Sequence, residues 1–369
     1  MNYRGTWLEI DTEAIKKNLE TIHNITSNCP ILLPVKADAY GHGMIETARF
    51  AEKCGLINMF GVASIEEGIC LRENGIALPI LILSYIIPGD EQINALIKYN
   101  LMPTIGDINT AQKCNLVAGA HNMKMKIHVK TDTGMGRLGC PASESVHTCN
   151  IINQLENIFI EGFYTHMPVS DENSNPFNNN QIAEYKKITE AVREILGRKP
   201  VLHMANSGAV LYYPDTFFDM VRPGIISYGY MPDPASPHDK RFKQCMSLFS
   251  TIIMMKKVNA GSALSYGHTY KLKKESWIAT IPCGYGDGFH RSLSNNTSVI
   301  INGRTYPIAG RICMDLLLID CGDDYFDVGT KVEIFGTDDV TVETTALKAN
   351  TIPYEITCSM ALRIARIYK

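Results

Sequence analysis

The chain has 369 residues, of which 45% are hydrophobic and 20% charged, a composition typical of a globular protein with a sizeable core. With 35 basic and 38 acidic residues the formal net charge is −3, and no block of like charge indicates binding to nucleic acid or to an anionic membrane surface. The N-terminus lacks a signal-peptide pattern and no apolar run approaches the ~20 residues that span a bilayer, so we expect a cytoplasmic protein.

The first two-thirds of the chain alternate strand-sized apolar runs with amphipathic segments. The runs lie at residues 31–35, 59–63, 80–84, 102–105, 125–130, 158–165, 201–204 and 220–222. Between two of them, Ser64 and Glu67 predict a capping box, in which each side chain accepts the backbone N–H of the other residue. Apolar strands alternating with helices predict a parallel sheet buried on both faces. Eight such units favour a (β/α)8 barrel over an open doubly wound sheet, which stays the alternative.

The pattern changes near residue 233. Residues 232–242 are rich in proline and charge and are interpreted as a linker. Short β-rich runs follow at residues 246–258, 277–282, 298–301, 305–309, 316–319 and 331–335. The sequence therefore predicts two domains, a (β/α)8 barrel over residues 1–236 and a mainly-β domain over residues 237–369.

Polar and basic residues stand at or just after the ends of the predicted barrel strands, where this fold places its chemistry. They are Lys36, Lys130, Arg137, His166, His203, Asn206, Ser207 and Arg222. One such residue alone is usually a solvated cap or a satisfied core group, and His203 is interpreted in that way. The recurrence of polar residues at most of the strand ends predicts an active site.

Two features of this set indicate the ligand. The loops after the seventh and eighth strands, "ANSGA" and "RPGII", offer the Ser207 hydroxyl and backbone N–H groups, which suit a phosphate dianion. Lys36, at the end of the first strand, can have a lowered pKa and form an imine. A lysine with a phosphate pocket predicts a phosphorylated aldehyde, either pyridoxal phosphate or the sugar phosphate of an aldolase.

The motifs "VKADAYGHG", "KTDTGMGRLG", "YTH", "ANSGA", "VRPGI", "SYG", "GYGDGF", "GRICMD" and "PYE" occur in this order along the chain. In this it resembles the alanine racemases, fold-type III pyridoxal-phosphate enzymes with an N-terminal barrel and a C-terminal β domain. The resemblance covers essentially the whole chain. It implies the cofactor pyridoxal 5'-phosphate, no metal, a homodimer whose active sites are shared between subunits, and interconversion of L- and D-alanine for cell-wall peptidoglycan.

The resemblance also implies roles at matching positions. Lys36 would carry the cofactor and act as the base on one face of the substrate Cα, with Tyr266 of the second subunit as the opposite base. The remaining cofactor contacts would come from Tyr40, His166, Asn206, Ser207, Arg222, Gly224, Ile225 and Tyr354. Arg222 would face the pyridine nitrogen, and His166 would lie at the ring. The substrate carboxylate would meet Arg137, Met314 and Asp315. Lys130, often carbamylated in the family, would orient Arg137, and the access channel would be lined by Asp171, Tyr285, Arg291 and Arg311.

The sequence departs from the family at Leu316, where glutamine is common, and at Met167-Pro168, where Phe-Ala is usual. Pro168 restricts the backbone of Met167, next to His166. A serine racemase or a racemase of several small amino acids stays open, although Tyr354 favours alanine. A pyridoxal-phosphate carrier, a fold-type III decarboxylase and an aldolase stay open as well. For Lys130, an ordinary ion pair with Asp132 stays open as an alternative.

Overall fold

A computed structural model gives the structure of residues 3–336 and 340–369. The chain divides into two compact units. The barrel unit comprises Lys16–Ala39 and Met44–Ser227; the β unit comprises Tyr40–Gly43, Tyr228–Lys369 and the N-terminal residues up to Ile15. The predicted domain boundary between residues 236 and 237 stays a prediction.

The barrel unit is built on parallel strands whose order in the sheet follows their order in the chain. Hydrogen-bonded neighbours run in the order Leu32–Pro34, Met59–Val62, Ile80–Ile82, Met102–Ile105, Met125–Asp132, Ile158–Tyr164 and Val201–His203. A two-residue strand, Cys140–Pro141, pairs with Met125–Asp132 outside this series. The strands are buried almost throughout because helices cover one face and interdigitating side chains fill the other.

Single bridges occupy the place of the eighth strand. Val221 pairs in parallel with Ile31, and Met220 with His203. The Leu32 N–H also donates to the Val221 carbonyl at 2.9 Å, which links the last position of the barrel to the first. The predicted eighth strand is this short because Pro223 has no N–H with which to extend the ladder. The predicted (β/α)8 barrel is confirmed.

Helices connect the strands of the barrel unit. Together with the first helix of the chain they span Thr12–Ile25, Met44–Cys54, Ile65–Glu73, Asp90–Lys98, Ile108–Ala120, Ser145–Asn153, Pro176–Leu196 and Ser207–Tyr212. Gly197 ends the longest of them with a left-handed φ of 59°, which glycine adopts at little cost. Among the residues that the structure describes, no helix is both long enough and apolar enough to cross a membrane.

The predicted capping box at Ser64 is only half confirmed. The Ser64 Oγ accepts the Glu67 N–H at 3.3 Å. The Glu67 carboxylate, however, accepts the N–H groups of Ala63 at 2.7 Å and Ala37 at 2.8 Å. Because Ala37 directly follows Lys36, the start of the helix Ile65–Glu73 is hydrogen-bonded to the loop that carries the motif "VKADAYGHG".

The β unit contains two sheets and a short hairpin. The larger sheet has the strand order Arg304–Pro307, Ser298–Ile301, Lys331–Phe335, Met246–Thr251, Thr6–Ile10 and Ala365–Tyr368. The smaller sheet has the order Met254–Val258, Ser276–Ile281 and Leu317–Gly322, and the hairpin pairs Ala263–Leu264 with Tyr270–Lys271. Its α-helices are Val342–Ala349 and Pro353–Cys358. The predicted mainly-β C-terminal part is confirmed. Within residues 3–336 and 340–369, short 3-10 helices span Ala142–Glu144, Pro214–Thr216, Ile225–Tyr228, Tyr266–His268, Tyr285–Asp287 and Arg291–Leu293.

The strand Thr6–Ile10 was not predicted from the sequence. It pairs antiparallel with Met246–Thr251 and parallel with Ala365–Tyr368, so both ends of the chain are neighbours in one sheet. Its residues alternate between buried and half-buried, which is the period expected of a strand with one covered face. Its partners lie at the far end of the sequence, and local patterns do not reveal such pairing.

The segment interpreted as a linker is packed into the β unit. Phe242 is buried, and the His238 ring lies 3.2 Å from the Glu343 carboxylate. That carboxylate raises the pKa of His238 by accepting a hydrogen bond from its ring. The proline-rich composition therefore marks an irregular but anchored segment.

Candidate active site

Polar side chains gather at the end of the barrel where the parallel strands finish. Lys36 follows the strand Leu32–Pro34, and Lys130 lies near the end of Met125–Asp132. His166 comes just after its own strand and approaches Arg222, with 3.4 Å between His166 Nδ1 and the Arg222 Nη2. The structure therefore brings these four predicted residues to one end of the barrel.

Lys130 is buried among other cations. Its Nζ lies 5.5 Å from the centroid of the Tyr164 ring. Burial lowers the pKa of Lys130 to about 8, and the charges of Arg222, Arg137 and Lys36 contribute in the same direction. A sizeable fraction of the amine is therefore neutral near pH 8, the form that can act as a nucleophile.

The Asp132 carboxylate organises the loop that carries Arg137. It accepts four consecutive backbone N–H groups at 2.8–3.2 Å, those of Gly134, Met135, Gly136 and Arg137. The Asp132 charge raises the pKa of Lys130 and so opposes the effect of burial. The hydrogen bonds that Asp132 accepts, however, all come from the loop backbone. Asp132 is thus foremost a loop-holding residue, and the Arg137 side chain that follows is exposed.

Arg222 is a buried cation held by several acceptors. Its Nη1 donates to His203 Nδ1 at 2.9 Å, and its Nη2 donates to the carbonyls of Thr165 at 2.7 Å and Met204 at 3.1 Å. Burial lowers the pKa of Arg222 to about 10, so the guanidinium stays charged near neutral pH. This anchoring fixes one positive charge at the barrel end.

A pair of buried histidines extends this network into the barrel. The Nε2 of His203 lies 2.8 Å from Nδ1 of His128, and the His203 ring stacks on Tyr164 with centroids 4.6 Å apart. Both ring nitrogens of His203 are thus satisfied, as the structural interpretation of this residue requires. Burial, reinforced by Arg222, lowers the pKa of His128 to about 3 and holds those of His203 and His166 well below the ordinary value.

These histidines make stability sensitive to acid. In the unfolded chain His128 titrates near ~6.5, whereas in the fold its pKa is about 3, so between these values only the unfolded state takes up the proton. The free energy of unfolding should therefore decrease as the pH falls below about 6.5, by up to ~1.4 kcal/mol per pH unit for each such histidine. Thermal unfolding of the protein and of His128→Gln between pH 7 and about pH 4 measures this term. The melting temperature of the variant should fall less steeply, and identical slopes would contradict the assignment.

A second polar cluster lies in the loops after the seventh strand and the bridge at Val221. The Ser207 Oγ accepts the N–H groups of Gly224 at 2.9 Å and Ile226 at 3.4 Å, and Ile225 lies between these donors. The Asn206 side chain caps the helix that begins at Ser207. The two predicted loops thus meet through one hydroxyl, and the role of Asn206 toward a cofactor stays a prediction.

In the β unit, Tyr40 packs against two other tyrosines. Its ring centroid lies 5.2 Å from that of Tyr228 and 5.9 Å from that of Tyr354. Burial, reinforced by Tyr354, raises the pKa of Tyr40, so its hydroxyl stays protonated and can donate a hydrogen bond. The neighbouring Gly41 has φ +85°, and a Cβ there would clash with the Thr357 carbonyl, which explains the glycine in this motif.

Tyr266 lies on an exposed edge of the β unit. The residue is 69% exposed, and with Cys313 and Leu316 it lines an open cavity of about 420 Å³. Met314 is also exposed. The Arg311 guanidinium lies beside the backbone of Gly267, the residue after Tyr266. A tyrosine presented in this way is available to a second molecule.

The four residues predicted to line an access channel are all exposed. They are Asp171 in the barrel unit and Tyr285, Arg291 and Arg311 in the β unit. Their role in a channel stays a prediction.

A buried carboxylate that the sequence did not single out supports the loop of Met314 and Asp315. Asp287 is fully buried and accepts hydrogen bonds from the guanidinium of Arg4 and, at 2.8 Å, from Nε of Arg363. The Nη2 of Arg363 also lies 2.9 Å from the Asp315 carboxylate. The only sequence signal is an acidic residue inside the motif "GYGDGF", because its partners come from the two ends of the chain.

Comparison with known proteins gives one family. Residues 10–232 match the family model of the alanine racemase N-terminal domain, and residues 245–368 that of the alanine racemase C-terminal domain. An alanine racemase of Halothermothrix orenii is 38% identical over an alignment 375 positions long, which covers 99% of this chain and 97% of that protein.

Solved structures agree with this result. An alanine racemase of Clostridium difficile 630 is 37% identical with a TM-score of 0.93, and the match covers 100% of this chain and 97% of that one. An alanine racemase from Bartonella henselae with covalently bound pyridoxal phosphate is 28% identical with a TM-score of 0.89, over 99% of each chain. The chain belongs to the alanine racemase family.

Proposed function

We propose that this protein interconverts L-alanine and D-alanine with pyridoxal 5'-phosphate attached to Lys36. The observation that carries the proposal is the barrel end, where Lys36 follows the first strand of a ring that also holds Lys130, His166 and Arg222. We further propose that the protein acts in the cytoplasm and supplies D-alanine for peptidoglycan, which is the general role of the family.

The residues present fit this cofactor. Lys36 offers a half-buried amine to the aldehyde, and the Ser207 hydroxyl, whose oxygen accepts the Gly224 N–H, can donate its own proton to the phosphate. Tyr40, with its raised pKa, offers a further donor, and Arg222 offers a fixed cation to the pyridine nitrogen. When bound, pyridoxal phosphate withdraws electrons from the Cα–H bond of an attached amino acid, so that the proton can leave.

Racemisation requires that a proton leave one face of Cα and that another arrive on the opposite face. In the proposal Lys36 serves one face and Tyr266 from the second subunit of a homodimer serves the other. Two observations support this assignment: Tyr266 is 69% exposed on its own unit, and the Arg311 guanidinium lies beside the backbone of the next residue, Gly267. Neither feature is expected of a tyrosine that only packs in a core.

The substrate carboxylate is assigned to Arg137 and to the backbone N–H of Met314, beside Asp315. Asp132 fixes the loop of Arg137, and the lowered pKa of Lys130 leaves neutral amine able to react with carbon dioxide. In this proposal carbamylated Lys130 then orients the Arg137 guanidinium. The remaining assignments, for His166, Asn206, Ile225 and Tyr354 at the cofactor and for the four channel residues, complete the proposed site.

The test is exchange of the Cα proton of L-alanine and L-serine in deuterated water with added pyridoxal phosphate, followed by separation of the enantiomers. We expect deuterated D-alanine, with serine reacting more slowly. Exchange with neither amino acid would leave a carrier or an aldolase instead, and exchange of alanine without formation of D-alanine would contradict racemisation.

The preference for alanine over serine has its own test at Tyr354. Its ring packs against Tyr40. In the proposal this ring would limit the space beyond Cβ of a substrate. Because an apolar wall rejects an added hydroxyl only weakly, serine should react measurably. The variant Tyr354→Asn should raise kcat/KM for serine relative to kcat/KM for alanine. If this ratio is unchanged, Tyr354 does not determine the preference for alanine.

A further inference from the structure

The residues after Lys36 adopt an unusual backbone. Ala37, Asp38, Ala39 and Tyr40 have φ between 52° and 56°, which is one turn of left-handed helix without glycine. Each such residue costs about 1–2 kcal/mol relative to the right-handed conformation. A strained turn of this kind persists only where surrounding contacts hold it, and such turns cluster at functional sites.

Glu67 holds the first peptide of this turn. Its Oε1 accepts the Ala37 N–H at 2.8 Å, and its Oε2 accepts the Ala63 N–H at 2.7 Å. The carboxylate thus connects the end of the first barrel strand to the end of the second, from which Ala63 follows directly. Further along the turn, Asp38 accepts the Met44 N–H at 2.8 Å.

The Ala37 N–H belongs to the same rigid peptide plane as the Lys36 carbonyl. The Val35 N–H donates to the Gly61 carbonyl at 2.9 Å and holds the chain before Lys36. With that side held, the direction of the Ala37 N–H restrains the ψ angle of Lys36 and the orientation of its Cα–Cβ bond. An ordinary capping box would have directed the Glu67 carboxylate to the Ser64 N–H, and in this chain it is directed to Ala37 instead.

We propose that Glu67 is a positioning residue for Lys36. Through its hydrogen bond to Ala37 it holds the left-handed turn and aims the lysine amine for reaction with an aldehyde. The inference rests on the proposed function for the identity of that aldehyde, pyridoxal 5'-phosphate. Glu67 itself does not touch the reacting atoms in this account.

The test uses the full chain without cofactor and the variants Glu67→Ala and Glu67→Gln, with Glu66→Gln as the matched control. Glu66 lies one residue earlier in the same helical turn and is exposed. The first readout is hydrogen–deuterium exchange of a peptide spanning residues 36–40, with melting temperature measured alongside. The second is the rate at which added pyridoxal phosphate condenses with the Lys36 amine, with loss of water. Absorbance measures this rate, and the mass of the modified peptide after borohydride reduction shows that the cofactor is attached at Lys36.

We expect Glu67→Ala to exchange faster at residues 36–40 and to attach the cofactor about tenfold more slowly or worse, the effect of ~1.4 kcal/mol. Glu67→Gln, which keeps one acceptor oxygen, should fall between Glu67→Ala and the wild-type protein, and Glu66→Gln should match wild type. An attachment rate at the wild-type value in Glu67→Ala overturns the inference, whatever happens to exchange or melting. Should the wild-type protein attach the cofactor at Lys36 but fail to racemise alanine, the proposed function fails while the attachment rates still decide the role of Glu67.

Discussion

Replacing Lys36 by alanine should abolish racemisation and leave the fold intact. The residue is proposed both to hold the cofactor and to move a proton, and loss of a positioned base alone costs about 10²–10⁴-fold in rate. Because both functions are lost together, the expected decrease in kcat exceeds ~10⁴-fold. The side chain is half-buried at the barrel end and outside the apolar core, so the melting temperature without cofactor should change little.

Lys126→Ala is the matched control for this variant. Lys126 lies on the strand Met125–Asp132 and is 57% exposed, in an ion pair with Glu161. It should keep wild-type activity. The rate of D-alanine formation is measured in both variants. The peptide mass after borohydride reduction shows whether the cofactor is attached at Lys36. Retention of even a tenth of the activity in Lys36→Ala would mean that Lys36 has neither role.

Replacing Asp287 by asparagine should destabilise the β unit far more than breaking an ion pair at its surface. Asp287 is buried between Arg4 and Arg363, and removing one partner of a buried ion pair costs about 3–5 kcal/mol. The expected loss is near ~3 kcal/mol, the lower end, because the Arg4 and Arg363 side chains are 31% and 41% exposed and can regain hydration. The loop of Met314 and Asp315 should also loosen and raise KM for alanine.

Glu275→Gln provides the comparison, since Glu275 forms an ion pair with Lys257 in which both side chains are about half exposed. Such surface pairs contribute about 0–1 kcal/mol. Denaturant unfolding of both variants, with kcat and KM measured separately, distinguishes the two cases. Equal stabilities for Asp287→Asn and Glu275→Gln would show that the buried cluster contributes no more than a surface pair.

The barrel was predictable because its signal is local. Apolar runs of strand length alternate with amphipathic helices, and the strand Met102–Ile105 has the bounds that the sequence predicts. The strand Thr6–Ile10 was missed because its partners lie in the distant segments Met246–Thr251 and Ala365–Tyr368. The eighth strand was over-predicted because hydrophobicity alone ignores the missing N–H of Pro223.

In the candidate site, too, local sequence patterns identified some residues, while residues that depend on contacts with distant parts of the chain were missed. Strand ends and family motifs identified Lys36, Lys130 and Arg222, to which the proposed function assigns the chemistry. The supporting residues Glu67 and Asp287 were not identified, because their importance depends on contacts formed only in the fold. Glu67 even carries a misleading local signal, since its spacing from Ser64 predicts a capping box.

The central claim is that Lys36 and Tyr266 act on opposite faces of one substrate and come from different subunits. Mixed dimers of Lys36→Ala and Tyr266→Phe test it most directly, because each variant alone lacks one base at every site. A 1:1 mixture that exchanges subunits should recover about a quarter of wild-type D-alanine formation, since one site of each heterodimer then has both bases. A mixture that forms heterodimers but stays as inactive as either variant alone would contradict the claim.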